Sequence, residues 1–360
     1  VNAQHVKSVP GRKSDVLDCQ WLRQLHSYGL LAGSFRPDDQ ICVLRSYIRQ
    51  RDTLISDASR HIQRMQKALT QMNLHLHQVL SDLTGVSGLA ILKAIVAGER
   101  DPHKLASLKH ERVRKPEAEI ADALSGDYRP EHVFVLAQEL KLYETYQEQI
   151  ADCDTQIETY LNQIQAQVSL EEIGQPKASR KQPQNQPSFD LRYHLQRISG
   201  VDFTAINGMG ILTVQTILSE VGLDPTRFPT AKQFVSWLGL CPGSNISGGK
   251  RKSSKTRHVS NRAANAFRIA AMAAGKSDSA IGAFFRRLKS RLGSPKAITA
   301  TAHKLARIFY QLWTTHQSYQ DAGAEYYDQQ YQQRKLKHLK KQAASLGFDL
   351  VNQIPVSDVS

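Results

Sequence analysis

The chain has no apolar run long enough to cross a bilayer, a length of about 18 residues or more, so it contains no membrane span. Cysteine is scarce. Cys19, Cys42, Cys153 and Cys241 are scattered through 360 residues with no CxxC and no paired His spacing, which excludes a zinc site and a disulfide-stapled secreted domain. Val1 to Lys13 lacks the apolar stretch of a secretory signal, as expected of a cytoplasmic protein. The first residue is Val rather than Met, as expected of an alternative start codon or of a chain whose beginning lies further upstream. The most informative shortage is of acids. Between Cys241 and Tyr310, Asp278 is the single Asp or Glu against fifteen Lys and Arg, a surplus of +14 that equals the net charge of the whole chain. A polyanion partner is the simplest reason to gather charge this way, because each cation that neutralises a phosphate also releases condensed counterions.

What is present is 41% hydrophobic, enough in a chain of this length for two or three domains with a real core. From Ile41 to Leu83 the apolar positions step by three and four, interrupted at Arg51. A second such seam runs from Val133 to Val168 and is interrupted at Gln147 and Asp154. Repeats sustained this long predict two helices forming an antiparallel coiled-coil arm over residues 38–170, with a helical insert at 84–130. A Gln-, Pro- and Lys-rich stretch at 171–188 reads as a linker. A second, helical unit is expected at 189–317, followed by a polar, partly ordered tail at 318–360. The fold class is therefore mainly α.

Three local patterns could carry chemistry. Ser14 is a plausible N-cap, which puts Asp15 and Asp18 at i and i+3 on one helix face, where they could share a Mg²⁺ or simply complement the helix dipole. Ile206-Asn207-Gly208-Met209-Gly210 lies between two helical patterns. Such a Gly-x-Gly turn, built on Gly208 and Gly210, resembles a helix-hairpin-helix that offers backbone amides to a phosphate. The third pattern is Gly243-Ser244-Asn245-Ile246-Ser247-Gly248-Gly249 followed by Lys250, Arg251 and Lys252. Its serine could attack a phosphodiester or belong to a loop that grips DNA. Lys255, Arg257, Arg262 and Arg268 extend the positive surface.

The stretch GRKSDVLDCQWLRQLHSYGLL (Gly11 to Leu31), with SFRP after it, resembles the end of the RuvC-like catalytic domain of DEDD-type insertion-sequence transposases. These are the bridge-RNA-guided serine recombinases, a family that includes the Piv invertases. INGMG, LGL and CPGSNISGGKRK resemble the C-terminal transposase domain of the same family, with Ala263-Ala264 where the pattern has Gly-Asn. The resemblance implies an RNase H-like domain of which this chain carries the carboxyl-terminal remnant, residues 1–37, with its last helix. Asp15 and Asp18 would be the last two acids of the DEDD set, and the first Asp and the Glu would precede Val1. It further implies Mg²⁺ as cofactor, Ser247 as nucleophile, DNA and a guide RNA as partners, and a homo-oligomer assembled through the arm in the bacterial cytoplasm and nucleoid. A DNA- or RNA-binding remnant without catalysis, and a metal nuclease in which Ser247 is structural, stand as alternatives.

Overall fold

The computed structural model describes residues 15–31, 33–168, 185–243, 245–248, 250–253 and 255–351. Helix α1 (Asp15–Ser27) opens on Asp15 and Asp18 and has no buried residue. Two long helices follow: α2 (Asp39–Gln71, 33 residues) and α7 (Pro130–Gln163, 34 residues). At about 1.5 Å per residue each is roughly 50 Å long. Arg51 meets Asp154 and His61 meets Glu139, so the two run antiparallel. The residues that α2 buries, among them Ile41, Leu44, Ile48, Met65 and Leu69, are those of the first seam. Those of α7, among them Leu136, Leu140, Ile157 and Leu161, belong to the second.

The interruptions of the two seams find each other. Arg51 is 3% exposed and Asp154 4% exposed. The Arg51 guanidinium is forked onto the carboxylate, with Nε donating to Oδ1 and Nη2 to Oδ2. Its Nη1 donates to the Asn185 carbonyl at 2.9 Å, and the Ser188 amide donates to Asp154 Oδ2 at 3.4 Å. At Gln147, which stays exposed, the seam passes to Tyr146, whose ring lies 5.1 Å from that of His61.

Four short helices close the far end of the pair: α3 (Leu76–Val79), α4 (Val86–Val96), α5 (Pro102–Ser107) and α6 (Glu117–Ala123). Ile91, Leu92, Leu105 and Ile120 join Met65, Leu69, Leu136 and Leu140 in one apolar core there. A second core forms at the near end, where Ile41, Leu44, Ile157 and Leu161 pack against the C-terminal unit. That unit comprises α8 (Leu191–Ser199), α9 (Ile211–Val221), α10 (Ala231–Trp237), α11 (Arg262–Ala274), α12 (Ala280–Leu292) and α13 (Ser294–Thr315). Phe203 stacks on Phe309 at 4.0 Å, with Phe234, Phe267 and Trp313 around them. A short antiparallel hairpin, β1 (Asn245–Ser247) and β2 (Lys250–Ser253), projects between α10 and α11. Within the polar stretch after Ser318 lies a 23-residue helix, α14 (Gly323–Ser345), with no buried residue. No helix among the described residues is long and apolar enough to cross a membrane.

Salt bridges tie the pair to the C-terminal unit. Arg45 and Arg49 of α2 reach Glu220 of α9 at 3.5 and 2.6 Å, and Arg262 of α11 reaches Asp52 at 3.5 Å. Leaving one charge of a buried pair alone is expensive. Asp154→Ala should therefore lower the unfolding free energy by about 3–5 kcal/mol. Arg51→Met combined with Asp154→Leu should recover most of that loss, and urea denaturation of the three proteins measures both effects.

Candidate nucleic-acid interface and serine hairpin

Asp202 caps the short turn Phe203–Ala205 that leads into the Gly-x-Gly turn. Its Oδ1 accepts from the Thr204 amide at 3.0 Å and from the Thr204 hydroxyl, and its Oδ2 accepts from Arg192. Burial opposes ionisation of this carboxyl, but the hydrogen bonds from Arg192 and Thr204 outweigh it and hold its pKa below the ordinary value. Gly208 follows with φ +91°, and a Cβ there would stand 2.5 Å from the Ala270 carbonyl oxygen and 2.6 Å from Ala274 Cβ. The glycine lets the turn lie directly on α11, whose buried face is almost wholly alanine. Gly210 differs. It is the N-cap of α9, no side chain accepts from the first amides of that helix, and a Cβ there would meet nothing within 4 Å. The amino end of α9 is thus open, with its partial positive charge available to an anion.

The serine hairpin is fastened at its base by a bridge between Pro242 and Thr256 and by the Gly243 amide, which donates to the Lys255 carbonyl at 2.9 Å. Asn245 pairs with Ser253, Ile246 with Arg251, and Ser247 with Lys250. Ser247 is therefore the last residue of β1, and Gly248 begins the turn with φ +55°. The side chains of Ser247, Lys250, Arg251 and Lys252 lie outside the described residues.

The other cations divide. Lys255 is exposed, Arg268 is half-buried, and neither makes an ion pair among the described residues. Arg257 Nη2 donates to the Ser236 carbonyl at 3.2 Å and so caps the carboxyl end of α10. Arg262 is engaged with Asp52, whose carboxyl is pushed up by burial against the pull of Arg262, Arg51 and Arg49. Both arginines hold the scaffold that carries the hairpin. Asp52 went unread in the sequence, although it stands beside the charge that interrupts the first seam.

Asp15 and Asp18 are exposed at the start of α1, and Ser14, their expected cap, lies outside the described residues. No group of three His, Cys, Asp or Glu that could hold a metal occurs among the described residues. A cleft of about 600 Å³ lies at the far end of the helix pair, lined by residues such as Leu80, Asp82, Ser87 and Arg112, well away in sequence from the serine hairpin.

Residues 202–286 match the family model described as "Transposase IS116/IS110/IS902 family", and residues 1–74 match the model described as "Transposase" for the DEDD type of IS110 elements. No curated protein matches the chain. The class is that of DNA transposases. The chain belongs to the IS110/IS116/IS902 family, with a DEDD domain at its amino end and the family's second transposase domain toward its carboxyl end. The family implies DNA binding and, in general, a divalent metal.

The two glycines of the turn should separate by experiment. Gly208→Ala combines a left-handed backbone with a steric clash and should cost about 2–4 kcal/mol. Gly210→Ala should change stability by less than about 1 kcal/mol, while weakening DNA binding if a phosphate sits at the amino end of α9. Thermal denaturation and a binding titration of both proteins check this.

Proposed function

We propose that the chain is the transposase of an insertion sequence that cuts and rejoins DNA through a phosphoserine bond at Ser247, directed by a guide RNA. The observation that carries this reading is the hairpin. It sets Ser247 at the end of a strand, at a glycine turn, opposite Lys250 in the segment where the chain's positive charge is gathered. The Ser247 oxygen attacks the scissile phosphorus. A P–Oγ bond forms as the bond from phosphorus to the leaving sugar oxygen breaks, and that oxygen takes up a proton. The phosphodiester count is conserved, so the free hydroxyl of another strand can reverse the step and join. Lys250, Arg251, Lys252 and Lys255 would offset charge on the non-bridging oxygens. The open amino end of α9, in a helix-hairpin-helix-like turn, would hold the neighbouring backbone.

Asp15 and Asp18 would contribute to a Mg²⁺ site as two of four acids. Mg²⁺ demands six oxygens in near-ideal octahedral geometry, and two exposed carboxylates one helical turn apart do not make such a site. The described residues therefore do not fit the ion by themselves. Assembly would run through the helix pair. Its outer side exposes Phe134 (64%) and Leu142 (42%), while Ile55 and Ile62 are half-buried within the pair.

Incubation with labelled DNA and Mg²⁺, followed by denaturing electrophoresis, tests the chemistry. In an assembly supplied with all four acids, a protein–DNA adduct is expected, and Ser247→Ala should abolish it by more than about 10³-fold. An adduct that survives Ser247→Ala overturns the serine assignment. Light scattering should report a dimer or larger species that Phe134→Glu with Leu142→Glu dissociates, and a monomeric wild type overturns assembly through the arm.

A further inference from the structure

Residues 329–348 contain Arg334, Lys335, Lys337, Lys340 and Lys341 and no Asp or Glu. They make up most of α14, a helix whose root is held in an unusual way. Tyr327 meets Phe284 of α12 edge-on at 6.1 Å. The Arg287 guanidinium lies 4.9 Å over Tyr327 and 3.7 Å over Tyr331, and Lys304 Nζ of α13 lies 4.5 Å from the Phe284 centroid and 5.2 Å from that of Tyr327. Asp321 anchors the approach to the helix, accepting from the Ala280 amide and the Tyr319 hydroxyl, each at 3.2 Å. Cation–π contacts therefore gather Arg287 and Lys304 around two tyrosine rings.

That cluster is short of counter-charge. Burial pushes the Lys304 ammonium below its ordinary pKa, Arg287 and Arg334 push it further, and Asp321 alone pulls the other way. Arg287 Nη1 is buried without a hydrogen-bond partner among the described residues. Past Tyr331 the helix is almost wholly exposed, and Arg334, Lys337, His338 and Lys341 fall at i, i+3, i+4 and i+7 on one of its faces.

We propose that α12, α13 and α14 form a second docking surface, for the backbone of duplex DNA, separate from the serine hairpin. This rests on the reading of the chain as a DNA transposase and adds a place where a further length of duplex is held. A 23-residue helix is about 35 Å long, close to one turn of B-form duplex, and the B-form major groove admits a helix. The deep, narrow major groove of A-form RNA does not.

The test uses the full chain. One variant changes Lys335, Lys337, Lys340 and Lys341 to Gln, which preserves helix propensity. A charge-matched control changes Lys67, Lys93, Lys104 and Lys141 to Gln. Binding of a labelled duplex is titrated across salt. For the α14 variant the slope of log K against log salt should become shallower by about two to four, with at least about tenfold weaker binding at moderate salt, while the control keeps the wild-type slope. Tyr327→Leu with Tyr331→Leu, which removes the root's ring contacts without changing charge, should reproduce part of that loss. An α14 variant that matches the control overturns the inference. So does tighter binding of A-form RNA than of duplex DNA, or lysine-dependent binding to anionic vesicles with an unchanged DNA slope. A wild type that binds no duplex at any salt overturns the reading of the chain as a DNA binder as well. Loss confined to a Lys250, Arg251 and Lys252 to Glu variant overturns the second surface and leaves that reading standing.

Discussion

The ion pair between Arg51 and Asp154 is the constraint on which the architecture turns. Two charges taken out of water add little net stability, because desolvation consumes most of their attraction. What they add is discrimination. Sliding α2 along α7 by a heptad would part the two charges and set Asp154 against an aliphatic residue of the first seam, whereas the observed register satisfies both and adds the Asn185 carbonyl and the Ser188 amide. A continuous apolar seam would tolerate several registers of similar energy. The pair singles out one and, through the backbone at 185–188, fixes where the chain re-enters the helix pair before α8.

The position of the elements proposed to bind nucleic acid follows from that register. Arg197 of α8 donates to the last carbonyls of α7, those of Leu161 and Ile164, and Gln167 returns an amide to the Arg197 carbonyl. Glu220, one residue before the end of α9, takes Arg45 and Arg49 from α2, so the open end of that helix points away from the pair. α11 is packed on α9 through Gly208 and joined to α2 through Arg262 and Asp52. The hairpin that carries Ser247 leaves from between α10 and α11, which are themselves fixed to this frame. A phosphate approaching Arg262 must compete with Asp52, which makes that arginine a poorer backbone contact than Lys255 or Arg268.

Much of the fold is legible in the amino-acid sequence, and where it is not, the reasons are physical. Both long helices are written in their seams, while the N-caps Asn261, Asp190 and Thr230 of α11, α8 and α10, all residue types that favour helix starts, went unread. Arg51 and Asp154 look like separate defects because a sequence lists interruptions one chain segment at a time. Their partnership appears only when the two seams are laid antiparallel at matching depth. α14 escapes apolar periodicity for a different reason: it docks through tyrosine rings and arginine rather than aliphatic knobs, so nothing repeats every three or four residues. The hairpin around Ser247 is too short and too polar for a period of two to register, and its glycines announce only a turn.

The two sets of residues that the family resemblance assigns to chemistry rest on different physical footings. The serine hairpin grows from a scaffold with a continuous aromatic and aliphatic core, so its base is positioned by burial. Asp15 and Asp18 lie on a 13-residue helix with no fully buried residue, in which Trp21, Leu22 and Leu25 are half-buried. A helix of that length is marginal in water on propensity alone and draws its order from whatever covers its apolar side. Val16 and Leu17 are exposed beside the carboxylates. A surface that buried those two side chains would be the same surface that set the direction of the acids. On the proposed function, in which serine and carboxylates meet in one site, they would do so when α1 is packed against a partner surface, so cleavage would depend on assembly while nucleic-acid binding by the basic segment would not.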